Sequence, residues 1–499
     1  MNVQYIIPIV YVINSYIFSL IKIIDQNKSR ILFDYPTFVI WERVDFMPTV
    51  DYKDLLFKPI EEIGKLYRCK DVSPVEVTQA TLDLQAELEP KLNTFITVMA
   101  EKALQQAREA ENTFMKGDPV GKLYGIPISI KDIFMTKGIK TTMGSRIFNN
   151  YIPEVNSYLF SSLKNAGAII FGKTNMLEFA YGCVHPDYGQ CNNPWDTNRT
   201  AGGSSTGSAS SVAAGIGFAS IGTDTGGSIR LPSSFCGVVG LKPTYDRISR
   251  QGLFPLSQSL DHIGPITRTV RDNAIILESI LQNQENFVFD ANDRSISGIK
   301  IGVIRTLTDL VSHPEVNLLF NSAIKKLFEL GAEVIEVEIP GIDTAVDIAF
   351  PILLSEGSYN HKEWCDSKEG DYAKGTIINI KEGFKVSAVS YLEALKRKRI
   401  LTEKLDSIFD SFDILVCPTA PCAATEKDPS FDDPTYNFTQ RTIPFNITGN
   451  PAITVSAGLT SSNLPVGIQF IGRHFDEATI YQLADTFQSA TGGYQSPNI

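Results

Sequence analysis

Two short stretches concentrate glycine and serine at a density that neither a packed core nor a single turn requires. The first is Gly202-Gly203-Ser204-Ser205-Thr206-Gly207-Ser208, the second Thr223-Asp224-Thr225-Gly226-Gly227-Ser228-Ile229-Arg230. Ser204 and Ser228 lie 24 residues apart, each directly after a glycine pair. A helix-like stretch, Ser208 to Gly215, and a strand-like one, Gly217 to Ile221, fit between them. Upstream, Ile126-Pro127-Ile128-Ser129-Ile130-Lys131-Asp132 places one lysine at the end of an apolar run. Read together, these three places describe a hydrolytic site without histidine.

A serine hydroxyl attacks only when a base takes its proton. Histidine is the usual base, yet the chain has five, and none stands beside either serine motif. A Ser-Lys arrangement is the alternative, and it needs a neutral amine from a group that titrates near roughly 10.4 when free. Burying the amine in apolar surroundings lowers that value by the required amount. Ile128 and Ile130 can bury the stem of Lys131, and Gly226 and Gly227 leave backbone N–H groups unobstructed for an oxyanion hole. Each signal alone has a plain explanation, a turn for the glycines and a solvated strand end for the lysine. The first glycine segment has P-loop spacing but Ser208 where the phosphate-binding lysine belongs. The order and joint spacing of the three segments are what carry the chemistry.

These segments resemble the amidase signature family. The likeness runs from Asp51 to the C-terminus and is densest from 121 to 272. It includes Tyr124–Asp132, Gly172–Ala180, Asn193-Pro194-Trp195-Asp196, both glycine-serine blocks, Phe235–Pro243 and Asp261–Arg268. The resemblance implies Ser228 as nucleophile, Ser204 as a bridging serine after a cis peptide bond, and Lys131 as base. It implies an oxyanion hole from the backbone of Thr225, Gly226, Gly227 and Ser228, with Ser205, Asp224 and Arg230 as supporting residues. Thr206 departs from the glycine or serine usual in the family, and a β-branched residue is uncomfortable at positive φ.

The implied fold is α/β, a single large domain with a mixed sheet wrapped by helices on both faces. Strand-length apolar runs at 126–130, 168–171, 217–221, 300–304, 333–339, 413–417, 452–456 and 466–471, with helix-period segments such as 316–330, 391–409 and 478–487 among them, agree. A net charge of −11 argues against a general nucleic-acid surface. The basic run Lys396-Arg397-Lys398-Arg399 reads as the solvated face of a helix. Seven scattered cysteines show no metal-ligand or CxxC spacing, which points to reduced thiols and a cytoplasmic setting. No cofactor or metal is expected.

Residues 1–50 form an apolar N-terminal extension ahead of a domain at 51–499. No charged side chain occurs in residues 1–21. Residues 1–24 read as a membrane anchor or as an extra helix, because the length suffices to span a bilayer but polar residues and Pro8 interrupt it. The family contains both free-standing amidases and A subunits of tRNA-dependent amidotransferases. The segments Glu178–Gly189 and Thr442–Thr448, with the extension, favour the first. The expected partner is then a small amide, with a homodimer left open. The alternative, a glutamine-hydrolysing A subunit, adds the amidotransferase B and C subunits.

Overall fold

Runs of apolar, β-branched residues build one sheet of 11 strands. In chain order they are β1 (Phe95–Val98), β2 (Pro127–Lys131), β3 (Ile169–Thr174), β4 (Ala219–Asp224), β5 (Val239–Lys242) and β6 (His262–Thr267). Then follow β7 (Lys300–Ile304), β8 (Glu333–Val337), β9 (Ile414–Pro418), β10 (Ala452–Leu459) and β11 (Pro465–Ile471). Their order across the sheet is β8-β7-β9-β11-β10-β5-β6-β4-β2-β3-β1. The sheet is mixed, with β2 parallel to β3 and β4, β7 parallel to β8 and β9, and antiparallel pairs between. This computed structural model describes residues 53–281, 287, 289–290, 295–428 and 437–499, with the backbone of 6–13, 16–25, 30–32, 41–43 and 52.

Every residue of β2, β3, β4, β6, β9 and β11 is buried, whereas the outermost strand β8 exposes Glu333, Ile335 and Glu336. Such uniform burial requires cover on both faces. Helices supply it, among them Ala100–Lys116 on β3, Thr206–Ala213 on β4, Val270–Ile280 on β6, and Pro314–Glu329 and Glu477–Ala490 on β10. The sequence sets their ends locally. Asp476 accepts from the Thr479 N–H at 3.3 Å, and Ser73 and Glu76 form a reciprocal capping box ahead of Pro74–Leu92.

The chain divides into Met1–Tyr52 and Lys53–Ile499. In the first unit Ile6–Ile13, Tyr16–Asp25, Arg30–Leu32 and Trp41–Arg43 pair antiparallel in that order. The stretch read above as anchor or helix is therefore extended at 6–13 and 16–25, the backbone that its Ile, Val and Tyr content favours. Among the described residues no helix is long and apolar enough to cross a membrane.

Candidate active site

Strands β2 and β4 run parallel with Ile130 opposite Ile221, so their C-terminal ends, Lys131 and Thr223-Asp224, meet at one edge. The loop ahead of helix Thr206–Ala213 joins them there. Lys131 is fully buried, and its Nζ lies 2.8 Å from Ser204 Oγ, 2.8 Å from Thr223 Oγ1 and 3.1 Å from Ser205 Oγ. Burial lowers its pKa to about 7, although the negative charges of Asp224 and Asp261 oppose the shift. The peptide bond between Gly203 and Ser204 is cis. Ser205 ties its loop to β4, accepting from the Thr223 N–H at 3.2 Å and donating to Thr223 O at 3.2 Å.

The second segment follows β4. The Ser205 N–H donates to Ser228 O at 3.1 Å, holding the two serine loops together. Asp224 caps the turn, its carboxylate accepting from the N–H groups of Gly227 (2.8 Å) and Ile229 (3.2 Å). Burial by itself would raise the Asp224 pKa. The Arg230 guanidinium, at 3.0 and 2.9 Å, and the Asn446 amide, at 2.8 Å, outweigh that and hold it below the usual carboxylate range. Arg230 also reaches Asn446 Oδ1 and Gln469 Oε1. Gly227 sits at φ 135°, where a Cβ would come within 2.4 Å of Thr442 Oγ1, so only glycine fits. Gly207 is equally constrained, a Cβ there meeting Thr94 O at 2.2 Å.

The structure brings Lys131, Ser204, Ser205, Asp224, Thr225–Ser228 and Arg230 into one cluster. It modifies one detail of the implied oxyanion hole. The Gly227 N–H is committed to Asp224, while those of Thr225, Gly226 and Ser228 have no protein acceptor among the described residues. Thr206 causes no distortion. It begins its helix away from positive φ, and its hydroxyl donates to Asn175 O at 3.1 Å. One ring nitrogen of each histidine has a partner away from the two serines: His185 with Asp371 O, His262 with Leu260 O, His313 with the Glu315 N–H, His361 with Tyr372 Oη and His474 with Thr448 O. The buried Nε2 atoms of His262 and His361 have no hydrogen-bond partner among the described residues.

Sequence reading gives no role to Thr223, Asn446, Gln469 or Asp261. Asp261 accepts from Thr225 Oγ1 at 2.6 Å and from the Leu256 and Ser257 N–H groups, and burial raises its pKa to about 6. An acidic residue inside the apolar stretch Leu260–Ile266 is the one local signal for it. Ser204 and Ser228, with Thr225, Gly226 and Gly227, face a cavity of about 60 Å³.

Comparisons with known proteins give the family and the fold. The family model described as Amidase matches residues 76–481. The A subunit of glutamyl-tRNA(Gln) amidotransferase from Heliobacterium modesticaldum is 37% identical over 477 residues, covering 88% of this chain and 98% of the relative. A solved amidase superposes with a TM-score of 0.80 at 28% identity, covering 87% of this chain and 99% of the other. The solved A subunit of the Thermotoga maritima amidotransferase gives 0.75 at 33% identity, covering 90% and 99%. With the family model matched over most of its length, the chain belongs to the amidase family.

Proposed function

We propose that the chain hydrolyses a carboxamide C–N bond, with Ser228 as nucleophile, Ser204 as relay and Lys131 as base. The observation that carries this reading is Lys131 itself, buried among three hydroxyls with Nζ 2.8 Å from Ser204 Oγ. A neutral amine has two N–H donors and one lone pair. Three hydroxyl neighbours suit it, two accepting and Ser204 donating. Lys131 takes the Ser204 proton as Ser204 takes that of Ser228, and Ser228 Oγ bonds to the carbonyl carbon. Backbone N–H groups of Thr225, Gly226 and Ser228 support the oxyanion. Ser204 then returns a proton to the departing nitrogen, and the C–N bond breaks to leave an ester on Ser228. Water, deprotonated through the same relay, releases the carboxylate.

The experiment is Ser228→Ala, paired with an alkyl phosphonate on the unaltered chain. Turnover should vanish while the circular dichroism is unchanged, and the phosphonate should label Ser228. Labelling elsewhere, or turnover in the variant, overturns the assignment.

Sequence likeness favours the A-subunit role over the free-standing amidase, since the relative covered over 98% of its length bears that name. In that role the ammonia released from glutamine passes to B and C partners. Co-purification with such subunits separates the two.

A further inference from the structure

Each of the three residues ahead of Ser228 is held by a hydrogen bond to a different partner. The Gly227 N–H donates to Asp224 at 2.8 Å, Gly226 O accepts from Thr442 Oγ1 at 2.5 Å, and Thr225 Oγ1 donates to Asp261 at 2.6 Å. Thr225 stands between the end of β4 and two glycines, residues that restrict the backbone least, so its direction depends on its own anchor. The other oxygen of Asp261 accepts from the Leu256 and Ser257 N–H groups at 2.9 and 3.1 Å. That turn has further supports. Asn360 donates to Pro255 O and Leu256 O, and Glu356 accepts from Ser257 Oγ and the Ser259 N–H. Loss of the Asp261 carboxylate would therefore leave the turn held and fall on Thr225.

Two buried carboxylates act on Lys131 by charge, Asp224 and Asp261. Asp224 is paired with Arg230 at 2.9 Å. Asp261 takes its hydrogen bonds from the neutral groups of Thr225, Leu256 and Ser257. Arg250 attracts it from farther away and spends its own N–H groups on Asp246, Tyr245 Oη and Gln258 O. We infer that Asp261 is a positioning residue for the hydrolysis: through Thr225 it sets the first backbone N–H of the oxyanion hole, and it supplies Lys131 with a negative charge that no direct ion pair cancels. This rests on Ser228, Ser204 and Lys131 acting as proposed above.

The test follows the rate of Ser228 labelling by an alkyl fluorophosphonate in the full chain, between about pH 5 and about pH 9, a range that spans the carboxylate-to-amine titrations. Labelling uses the oxyanion N–H groups and the Lys131 base, and needs no amide. Asp261→Ala should slow it by roughly a hundredfold, the cost of a misplacement near 1 Å. Asp261→Asn keeps an acceptor for the turn and a donor for Thr225, and should recover at least roughly tenfold of that loss. Its rate-against-pH curve should nevertheless lie at lower pH than that of the unaltered chain. Removing a negative charge that faces an ammonium makes the ammonium easier to deprotonate. Glu356→Gln alters the same turn without touching Thr225, and should leave both rate and curve in place. A normal rate in Asp261→Ala overturns the inference, as does an unmoved curve in Asp261→Asn or an equal slowing by Glu356→Gln. Should Asp261→Ala fail to fold, the Asp261→Asn curve decides. If the unaltered chain is not labelled at Ser228, the nucleophile assignment falls and takes this inference with it; if it is labelled and the Asp261 effects are absent, the inference falls alone.

Discussion

Two lysines on neighbouring strands are both wholly buried, yet their surroundings differ in one respect. Lys173 on β3 forms an ion pair with Asp132 at 3.1 Å and donates to Phe134 O and Thr141 Oγ1. Lys131 on β2 has three hydroxyls and no carboxylate within bonding distance. Burial lowers both pKa values, but at Lys173 the adjacent Asp132 carboxylate opposes the shift directly. An ammonium held by a buried carboxylate keeps its proton, and one held by neutral hydroxyls can release it. Burial alone therefore does not make a base; the partners decide.

Substitution separates the two roles most sharply. Lys131→Ala should lower kcat by roughly a thousandfold or more, in the upper range for acid–base assistance. Its urea midpoint should change little, since it leaves neutral hydroxyls rather than a charge. Lys173→Met should do the reverse. It strands Asp132 without a counter-charge and should cost about 3–5 kcal/mol in urea unfolding, with kcat of the folded protein close to normal. Equal activity losses in the two variants would erase the distinction.

The Lys131 side of this contrast is legible in the amino-acid sequence, and the Lys173 side is not, because Asp132 meets Lys173 only across neighbouring strands. The apolar approach to Lys131 and the glycine-serine blocks locate the site, and eight strand-length runs fall on strands. Strands β1, β5 and β6 escape, the last two because Gly240, Gly264 and Pro265 dilute the pattern. At Gly264 the reason is physical, since a Cβ would meet Leu241 O on the neighbouring strand at 2.0 Å. The basic run 396–399 reads as solvated, but one of its four residues turns inward. Lys398 donates to Ile447 O and lies 5.8 Å over the Tyr245 ring. Asn446 and Gln469 are invisible as site residues because they reach Arg230 from 216 and 239 positions away. Contacts of that range follow from the sheet order, not from a local pattern.

The relay adds a second way to test the comparison. If Lys131 acts through Ser204, then Ser204→Ala should cost about a hundredfold in kcat, the lower range for acid–base assistance. Residues acting as a unit show strongly non-additive losses. The Lys131→Ala/Ser204→Ala double variant should thus be scarcely slower than the poorer single variant. Multiplying losses would mean that the two side chains work independently, and the relay would fail.

The smallest effect is the most specific to a lysine that is neutral when folded. The Lys131 pKa falls from 10.5 in the unfolded chain to about 7 in the folded one. Between those values the unfolded state binds the extra proton, so stability rises with pH there. Below about 7 the penalty for burying this amine is present in full. The gain approaches about 1.4 kcal/mol per pH unit inside the window. Lys131→Met lacks the titration while keeping Lys173, so the difference between the two proteins isolates it. Urea unfolding at pH 7.5 and pH 9 should show the unaltered chain gaining on Lys131→Met, and its amide turnover should rise as pH passes through about 7. A difference that stays flat between those pH values would mean that Lys131 keeps its proton in the fold. It would then stand with Lys173 as a structural cation, and the base would have to be sought elsewhere.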